Sequence, residues 1–331
     1  MRRMRRLSLF YLLTFAAIAS LIVLSLCLGA VRLSFADVCA ALGGDTTGTA
    51  YKIVRFVRLP RVVAAVLCGM ALASSGAIIQ SVLRNPLGSP NVLGMHAGAG
   101  LFVIVCAALV PFAPKVLPLA AFAGAFITLL FVCALGKKAG GSKASVLLSG
   151  VAANTFFTAL SDAIIVFVPD TIYSRTAFKI GSLSGVQLNV LAPAAVVIVF
   201  SIIIAFFLRH ELDVLALGDE TSQSLGLSVG AVRFCALVLA ALLCGAGISF
   251  AGLVGFVGLI VPHCARAFVG SEMRHLLPAS AFLGAALVLL CDLLSRLVFA
   301  PYELPVGILL SLIGGPFFVV LLLKERKARH D

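Results

Sequence analysis

The stretch AAVVIVFSIIIAFFL, residues 194–208, carries no charged side chain and does not alternate between apolar and polar positions. Strands of a membrane β-barrel would alternate, so this stretch favours an α-helix. Four further gaps of similar length contain no Asp, Glu, Lys or Arg, and a helix rising about 1.5 Å per residue could cross about 30 Å of hydrocarbon in each. They lie between Arg6 and Arg32, Arg61 and Arg84, Lys115 and Lys137, and Glu303 and Lys324. The pattern predicts a multi-pass membrane protein.

Composition excludes several other classes of protein. The 331 residues are 62% hydrophobic with a mean hydropathy of +1.17, which leaves too little polar surface for a soluble domain. The net charge of +12 comes from basic residues at segment ends and not from one basic face, so nucleic-acid binding is not expected. The nine cysteines are scattered without a CxxC pair, which favours packed thiols over metal ligands or disulfides.

Segmentation of the chain predicts an all-α membrane protein with about ten transmembrane helices in a single domain, residues 1–331. The first apolar stretch is about 25 residues long, which is too long for a secretory signal and indicates a retained span. The seventh and eighth spans share one uncharged run that must turn near Ala251 and Gly252. The predicted spans are 7–31, 62–83, 92–110, 116–136, 144–169, 187–208, 234–251, 252–270, 277–299 and 304–323.

Basic residues predict the orientation of these spans. With the N-terminus in the cytoplasm, 16 of the 25 Lys and Arg residues fall on the cytoplasmic side and nine on the outer side, as the positive-inside rule requires. Both termini are therefore expected inside. Among the outer charges, Arg55, Arg58 and Arg61 crowd one short stretch against this trend, which indicates that they have a partner.

Acidic residues within the predicted spans are few. Asp292 precedes Arg296 by four residues, a spacing that pairs them on one helix face. Asp162 belongs to a polar stripe on the fifth span, whose remaining members are Asn154, Thr155, Thr158 and Ser161. That stripe suits either hydrogen bonding between helices or the lining of a translocation pathway, and the sequence leaves both open.

One predicted cytoplasmic loop, residues 210–233, is long enough to fold. LDVLALG and SQSLGL are short amphipathic pieces that end at Gly218 and Gly226, and Asp219 and Glu220 stand at the start of the second piece. Because a solvated loop would not expose several leucines, the loop is expected to dock another protein. These leucines are Leu215, Leu217, Leu225 and Leu227.

Five segments resemble the FecCD-type permeases of ABC importers for iron-siderophores, haem and cobalamin. They are RLPRVVAAVLCGMALASSGAIIQSVLRNPLGSPNVLG (58–94), KIGSLSGV (179–186), LDVLALGDETSQSLGLSV (212–229), GLVGFVGLIVPHCAR (252–266) and ELPVGILLSLIGGPFFVVLLL (303–323). All five occur in the order of the family. The resemblance implies a ten-helix permease with type II ABC importer architecture in the bacterial inner membrane.

The resemblance also implies partners and functional residues. The permease would pair with a second permease subunit, commonly as a homodimer, above two cytoplasmic ATPase subunits and below an extracytoplasmic substrate-binding protein. Arg58, Arg61 and Arg296 would meet glutamates of the binding protein. The loop at 212–229 would meet the ATPase, and its contact residues are predicted to be Leu212, Asp213, Leu215, Leu217, Gly218, Asp219, Glu220, Leu225 and Gly226. The translocation pathway is predicted to include Asn154, Thr158, Ser161 and Asp162.

One position departs from the family pattern. Where the family usually has Trp-Leu-Met-Gly, this chain has Phe178, Lys179, Ile180 and Gly181. A lysine near the predicted outer side of the pathway favours an acidic cargo.

Two rival functions predict different features. A secondary, ion-coupled transporter of a small organic substrate would need paired acids within the membrane and no folded docking loop. A membrane-embedded enzyme would need a reactive cluster, and the five histidines are isolated from one another in the sequence. The chain is thus predicted not to be an enzyme, with no cofactor and no metal, and with ATP hydrolysis on a separate subunit.

Overall fold

A computed structural model of the chain describes residues 2–29, 31–44, 48–110, 114–298 and 302–327, and these residues contain helices and no strand. Short helical turns at Val54–Arg58, Pro114–Val116 and Pro169–Thr171 connect some of the helices. The α-helices are α1 Arg2–Cys27, α2 Phe35–Leu42, α3 Thr49–Ile53, α4 Leu59–Leu83, α5 Met95–Leu109, α6 Leu117–Lys138, α7 Lys143–Phe167, α8 Ile172–Ile180, α9 Leu188–Phe207, α10 Arg209–Leu217, α11 Asp219–Ser224, α12 Val229–Ala251, α13 Val257–Val269, α14 Met273–Leu297 and α15 Val306–Lys327.

Ten of these helices correspond to the ten predicted spans, so the predicted all-helical membrane fold is confirmed. Seven helical segments in the described part of the chain are long and apolar enough to cross a membrane by themselves. Three shorter apolar helices complete the set, at Met95–Leu109, Val257–Val269 and Val306–Val320. The short helices α2, α3, α8, α10 and α11 lie between spans.

Helix α4 is the centre of the bundle, and its small residues explain how. Gly69 of α4 faces Gly284 of α14 so closely that a Cβ on either would overlap the other's backbone. A Cβ on Gly76 would overlap the backbone of Gly258 of α13, and a Cβ on Gly258 would press on the Leu72 carbonyl of α4. Small residues let the backbones of membrane helices approach closely. The approach brings α13 and α14 against α4 and places most of α4 in the interior.

The chain leaves helical geometry at the end of α8, at the end of α12 and before the start of α15, and these three places lie together. Helix α12 ends at Ala251, and Gly252 turns the chain with φ +70°, as the sequence predicted for this pair. The Leu253 N–H donates to the Phe178 carbonyl at 2.9 Å, and the Gly307 N–H donates to the Gly181 carbonyl at 3.2 Å. Non-helical backbone within a membrane protein needs such partners, because lipid supplies none.

The exposed surface of α7 is apolar over most of its length. In the isolated chain these large side chains face outward, which for a membrane helix means contact with lipid or with another subunit. They are Leu148, Val151, Phe156, Leu160, Val166 and Phe167. The polar stripe, residues 154–162, lies on the same helix. Whether each of its residues contacts the bundle or faces outward depends on the face of α7 that it occupies.

Candidate functional site

Three arginines gather at the end of the bundle where α4 begins, which we call the Arg61 end. Arg61 lies in the first turn of α4, Arg58 in the helical turn before it, and Arg296 in the last turn of α14. The resemblance implied that these three residues act together. The structure brings them into one cluster, although Arg296 lies far from Arg58 and Arg61 in the sequence.

Two carboxylates neutralise part of this cluster. Asp292 accepts from Arg61 Nε at 2.8 Å and contacts Arg296 Nε at 3.3 Å, so the predicted pairing of Asp292 with Arg296 is confirmed. Glu303 accepts from Arg61 Nη1 at 2.6 Å. The sequence analysis missed both contacts of Arg61, because neither acid lies near it along the chain and no helical spacing links them.

Arg58 and Arg296 also bind the end of α1. The last carbonyls of a helix have no partner within it and form the negative end of the helix dipole, where a cation is stabilising. The guanidinium groups donate to backbone carbonyls in the last turn of α1 and just beyond it: Leu26 and Val31 for Arg58, and Ser25 and Leu28 for Arg296. The two arginines therefore fasten α1 to α4 and α14.

Burial separates this cluster from its neighbours. Arg58, Arg61 and Arg296 are only 4%, 7% and 5% exposed, whereas Lys52 and Arg55 just before them are exposed. Lys52 and Arg55 are therefore more accessible to a partner at the Arg61 end than the three arginines are. Arg61 and Arg296 pair with Asp292 and Glu303, whereas the described contacts of Arg58 are backbone carbonyls, which leave its charge unneutralised.

The polar stripe of α7 borders a cavity of about 130 Å³. Asn154, Thr158 and Ser161 line it, while Asp162 is exposed outside the lining. Ser161 donates to the Phe157 carbonyl of its own helix at 2.8 Å, so its hydroxyl is engaged locally. The structure brings three of the four predicted pathway residues to one cavity and leaves the fourth beside it.

Two further polar residues of the cavity lining, His96 and Lys179, lie outside α7, and the sequence pattern pointed only to Lys179. His96, in the first turn of α5, is 7% exposed and its Nε2 has no hydrogen-bond partner among the described residues. Lys179, in the last turn of α8, also lines the cavity. His96 is distant in sequence from α7, whereas Lys179 lies on the next α-helix after it, and only the packing of α5 and α8 around the cavity reveals the grouping.

The predicted docking loop forms two short helices, α10 and α11, as the amphipathic pieces indicated. Leu217 and Leu225 are 58% and 63% exposed. The exposure expected for Leu215 is wrong: it is fully buried, as is Leu212, because both lie on the face of α10 that packs against the bundle. Gly218 and Gly226 end the helices with φ +125° and +82°, values that favour glycine.

Asp219 ties this loop to two spans at the end of the bundle where α4 ends, which we call the Asp219 end. Its carboxylate contacts Lys143 Nζ at 2.9 Å and Arg233 Nη2 at 2.6 Å, at the starts of α7 and α12. Burial alone would raise the pKa of Asp219, but the hydrogen bonds from Arg233 and Lys143 lower it below its ordinary value. The exposed Glu220 beside it makes no ion pair among the described residues.

Asp213 fixes the other helix of the loop. Its Oδ1 accepts from the backbone N–H of Met273 at 2.8 Å, at the start of α14. Burial raises the pKa of Asp213 against the opposing effect of this hydrogen bond. Movement of α10 and α11 would therefore be felt at α7, α12 and α14 together.

Within the described residues, no group of three His, Cys, Asp or Glu side chains is placed to hold a metal ion. The nine cysteines are all free thiols. The described contacts at the two ends of the bundle are ion pairs and backbone hydrogen bonds, with exposed leucines at the Asp219 end.

Comparison with known proteins gives a consistent result. A family model described as the FecCD transport family matches residues 16–324. The chain is 38% identical over 277 residues to the Fe(3+) dicitrate transport system permease protein FecD of Escherichia coli (strain K12), covering 83% of this chain and 86% of that protein. It is 36% identical to the Fe(3+)-citrate import system permease protein YfmE of Bacillus subtilis (strain 168), covering 98% of each chain.

A haem system and a solved structure extend the comparison. The hemin transport system permease protein HmuU of Yersinia pestis is 36% identical over 313 residues, covering 91% of each protein. A solved structure described as an inward-facing conformation of a metal-chelate type ABC transporter is similar with a TM-score of 0.85 and 27% identity. That similarity covers 96% of this chain and 99% of the solved chain.

Proposed function

The chain belongs to the FecCD transport family, and from this premise we propose that it carries an iron chelate through the membrane in a complex driven by ATP. It is a multi-pass permease subunit of the ABC importer class. The observation that supports the cargo class most strongly is that two similar relatives over most of their length are iron-citrate permeases. The chelate is the transported substrate and not a resident group of the permease.

The two ends of the bundle support a proposal for the partners. We propose that α10 and α11 seat a cytoplasmic ATPase, with Leu217 and Leu225 as the apolar contacts. One ATPase would bind each of two permease subunits, most simply two copies of this chain. A substrate-binding protein would dock at the opposite, Arg61 end, where Arg58, Arg61 and Arg296 supply positive charge.

The proposed orientation puts the Asp219 end and both termini in the cytoplasm of a bacterium, with the chain as one transmembrane domain in its inner membrane. Single cysteines on a cysteine-free background test this. Asp170→Cys should react with an impermeant maleimide from outside, and Ser224→Cys only after permeabilisation. Both residues are exposed, whereas the nearby Ser222 is buried and would not report. External labelling of Ser224→Cys would reverse the orientation.

For the pathway, we propose that the cargo passes the cavity beside α7. Thr158 is exposed and borders that cavity, so a large side chain there would obstruct it without disturbing the core. Thr158→Trp should stop uptake while the complex still assembles. Leu160→Trp, on the same exposed helix but away from the cavity lining, is the matched control. Equal uptake by Thr158→Trp and the parent would contradict the pathway and would indicate that the polar stripe serves packing between helices.

The rival that must be tested is an ion-coupled secondary transporter. Asp292, the acid buried most deeply in the described part of the bundle, is held between Arg61 and Arg296 and is not free to carry an ion. Cells that depend on this chain for uptake of ⁵⁵Fe-labelled ferric citrate should lose it when arsenate depletes ATP. Uptake that survives arsenate but stops with a protonophore would contradict the proposed function.

A further inference from the structure

The cavity beside α7 has a chemical character that the family assignment does not supply. Its polar lining consists of His96, Asn91, Asn154, Thr158, Ser161 and Lys179, and no carboxylate lines it. Each of these side chains carries a hydrogen-bond donor, of which only that of Ser161 is used within α7, and Lys179 adds a full positive charge. A cavity of this composition suits an anion.

His96 gives an independent indication of a ligand. The ring is buried within the bundle, yet its Nε2 atom makes no hydrogen bond among the described residues. A buried polar atom without a partner carries a desolvation cost, which a ligand group in the cavity would relieve. His96 also stands in the first turn of α5, a helix of 15 residues whose N-terminal end favours negative charge.

Lys179 completes the arrangement from the opposite helix. It lies in the last turn of α8, is exposed, and has no ion-pair partner among the described residues. A cation near a helix C-terminus can also serve that helix alone, by balancing the negative end of its dipole. Lys179 can therefore have two roles, as a contact for a bound anion or as a partner of the α8 dipole. Only the first role requires the charge of Lys179 to attract anions into the cavity.

We propose that His96 and Lys179 form an anion-selective contact site in the translocation pathway, which takes the carboxylate groups of a polycarboxylate iron chelate such as ferric citrate. This rests on the proposed function and narrows its substrate class. Lys179 would draw the anionic chelate in by charge, and His96, Asn154 and Thr158 would donate hydrogen bonds to its oxygens. No covalent or redox step is involved.

The first test reads the charge of the cavity without transport. Thr158→Cys, in the full complex on a cysteine-free background, is treated with an anionic and with a cationic methanethiosulfonate reagent. Replacing Lys179 with Gln should lower the ratio of anionic to cationic reaction rates about tenfold, and Lys179→Arg should keep it. Lys115→Gln, an exposed lysine outside this cavity, is the matched control. An unchanged ratio in Lys179→Gln would overturn the site and leave Lys179 as a partner of the α8 dipole.

The second test concerns the cargo. Lys179→Gln should reduce uptake of ⁵⁵Fe-labelled ferric citrate about tenfold relative to Lys179→Arg at equal ATPase activity, and His96→Leu should reduce it further than His96→Gln. Undiminished ferric citrate uptake in Lys179→Gln would overturn the inference. If the unmodified complex takes up only neutral chelates in an ATP-dependent manner, the inference fails while the proposed function stands.

Discussion

Ion pairs lie at both ends of the bundle, and they differ in how much water reaches them. At the Arg61 end, the side chains of the central pair, Arg61 and Asp292, are 8% and 1% exposed, whereas Glu303 at its edge is 38% exposed. At the Asp219 end, the Asp219 side chain is 39% exposed, and Lys143 and Arg233 are 20% and 12% exposed. Each group joins more than two helices, so the burial of the central carboxylate, Asp292 or Asp219, is what distinguishes them.

This difference indicates two different uses of the same chemistry. Breaking a buried pair leaves an uncompensated charge and is strongly destabilising, whereas an exposed pair contributes little to stability and can open and close. The Arg61 end is built as a fixed joint among α1, α4 and α14. The Asp219 end is built as a joint that can open and close, which suits the proposed ATPase contact.

The largest expected effect is at the fixed joint. Asp292→Ala leaves Arg61 and Arg296 without their shared buried partner, and the free energy of unfolding should fall by about 3–5 kcal/mol. Asp219→Ala is the matched carboxylate removal at the other end and should cost about 1 kcal/mol or less. Thermal unfolding in detergent measures both. Similar losses of unfolding free energy in the two variants would show that the two ends of the bundle do not differ in this respect.

At the Asp219 end, the next largest effect concerns the exposed leucines. Leu217→Asp together with Leu225→Asp would place two unpaired charges in the proposed ATPase contact, and the affinity for the ATPase should fall at least about a hundredfold, or about 2.7 kcal/mol. Gln223→Glu, an exposed neighbour that gains charge without losing an apolar contact, is the control. Titration of the ATPase onto permease nanodiscs measures the affinity. Unchanged binding in the double variant would remove the loop from the interface.

At the Arg61 end, a smaller effect is expected on docking of the binding protein. Arg58→Glu should weaken capture about tenfold, or about 1.4 kcal/mol, and a glutamate-to-arginine change on the partner should restore part of it. Restoration by the partner separates docking from the role of Arg58 at the end of α1. If Arg55→Glu weakens capture and Arg58→Glu does not, the exposed residue makes the contact and the buried arginines are structural.

The smallest expected effect comes from a variant that separates the movement of α11 from the binding of the ATPase. Asp219→Asn should keep the ATPase bound but lower the iron transported per ATP about threefold, because α11 no longer holds α7 and α12 by charge. The lowered pKa of Asp219 means that its pairing is present above the unfolded pKa and is lost only as pH falls through the folded value. Transport per ATP in the parent should therefore hold constant from about pH 8 to about pH 6. An unaltered transport ratio in Asp219→Asn would show that the pair does not transmit motion.

The sequence could predict the features that depend on local pattern. Ten spans follow from uncharged stretches, the turn at Gly252 from a glycine in an otherwise continuous apolar run, and α10 and α11 from two amphipathic pieces. The pairing of Asp292 with Arg296 follows from one helical turn of spacing. Each of these needs only neighbours along the chain.

Features that depend on packing could not be predicted in the same way. The contacts of Arg61 with Asp292 and Glu303 join residues more than two hundred positions apart. Leu215 and Leu217 belong to the same amphipathic piece, and only the placement of α10 shows that the first is buried and the second exposed. His96 is an isolated histidine in the sequence and becomes a candidate ligand only because α5 packs beside α7.

The most direct test of the central claim is ATP-driven uptake by the purified complex in proteoliposomes. Two copies of this chain, with the ATPase and binding protein that co-purify with it, should accumulate ⁵⁵Fe-labelled chelate only with ATP on the side of the Asp219 end. Leu217→Asp with Leu225→Asp should abolish that uptake while the permease remains folded. Full ATP-driven uptake by this double variant, or uptake driven by a proton gradient without ATP, would contradict the account.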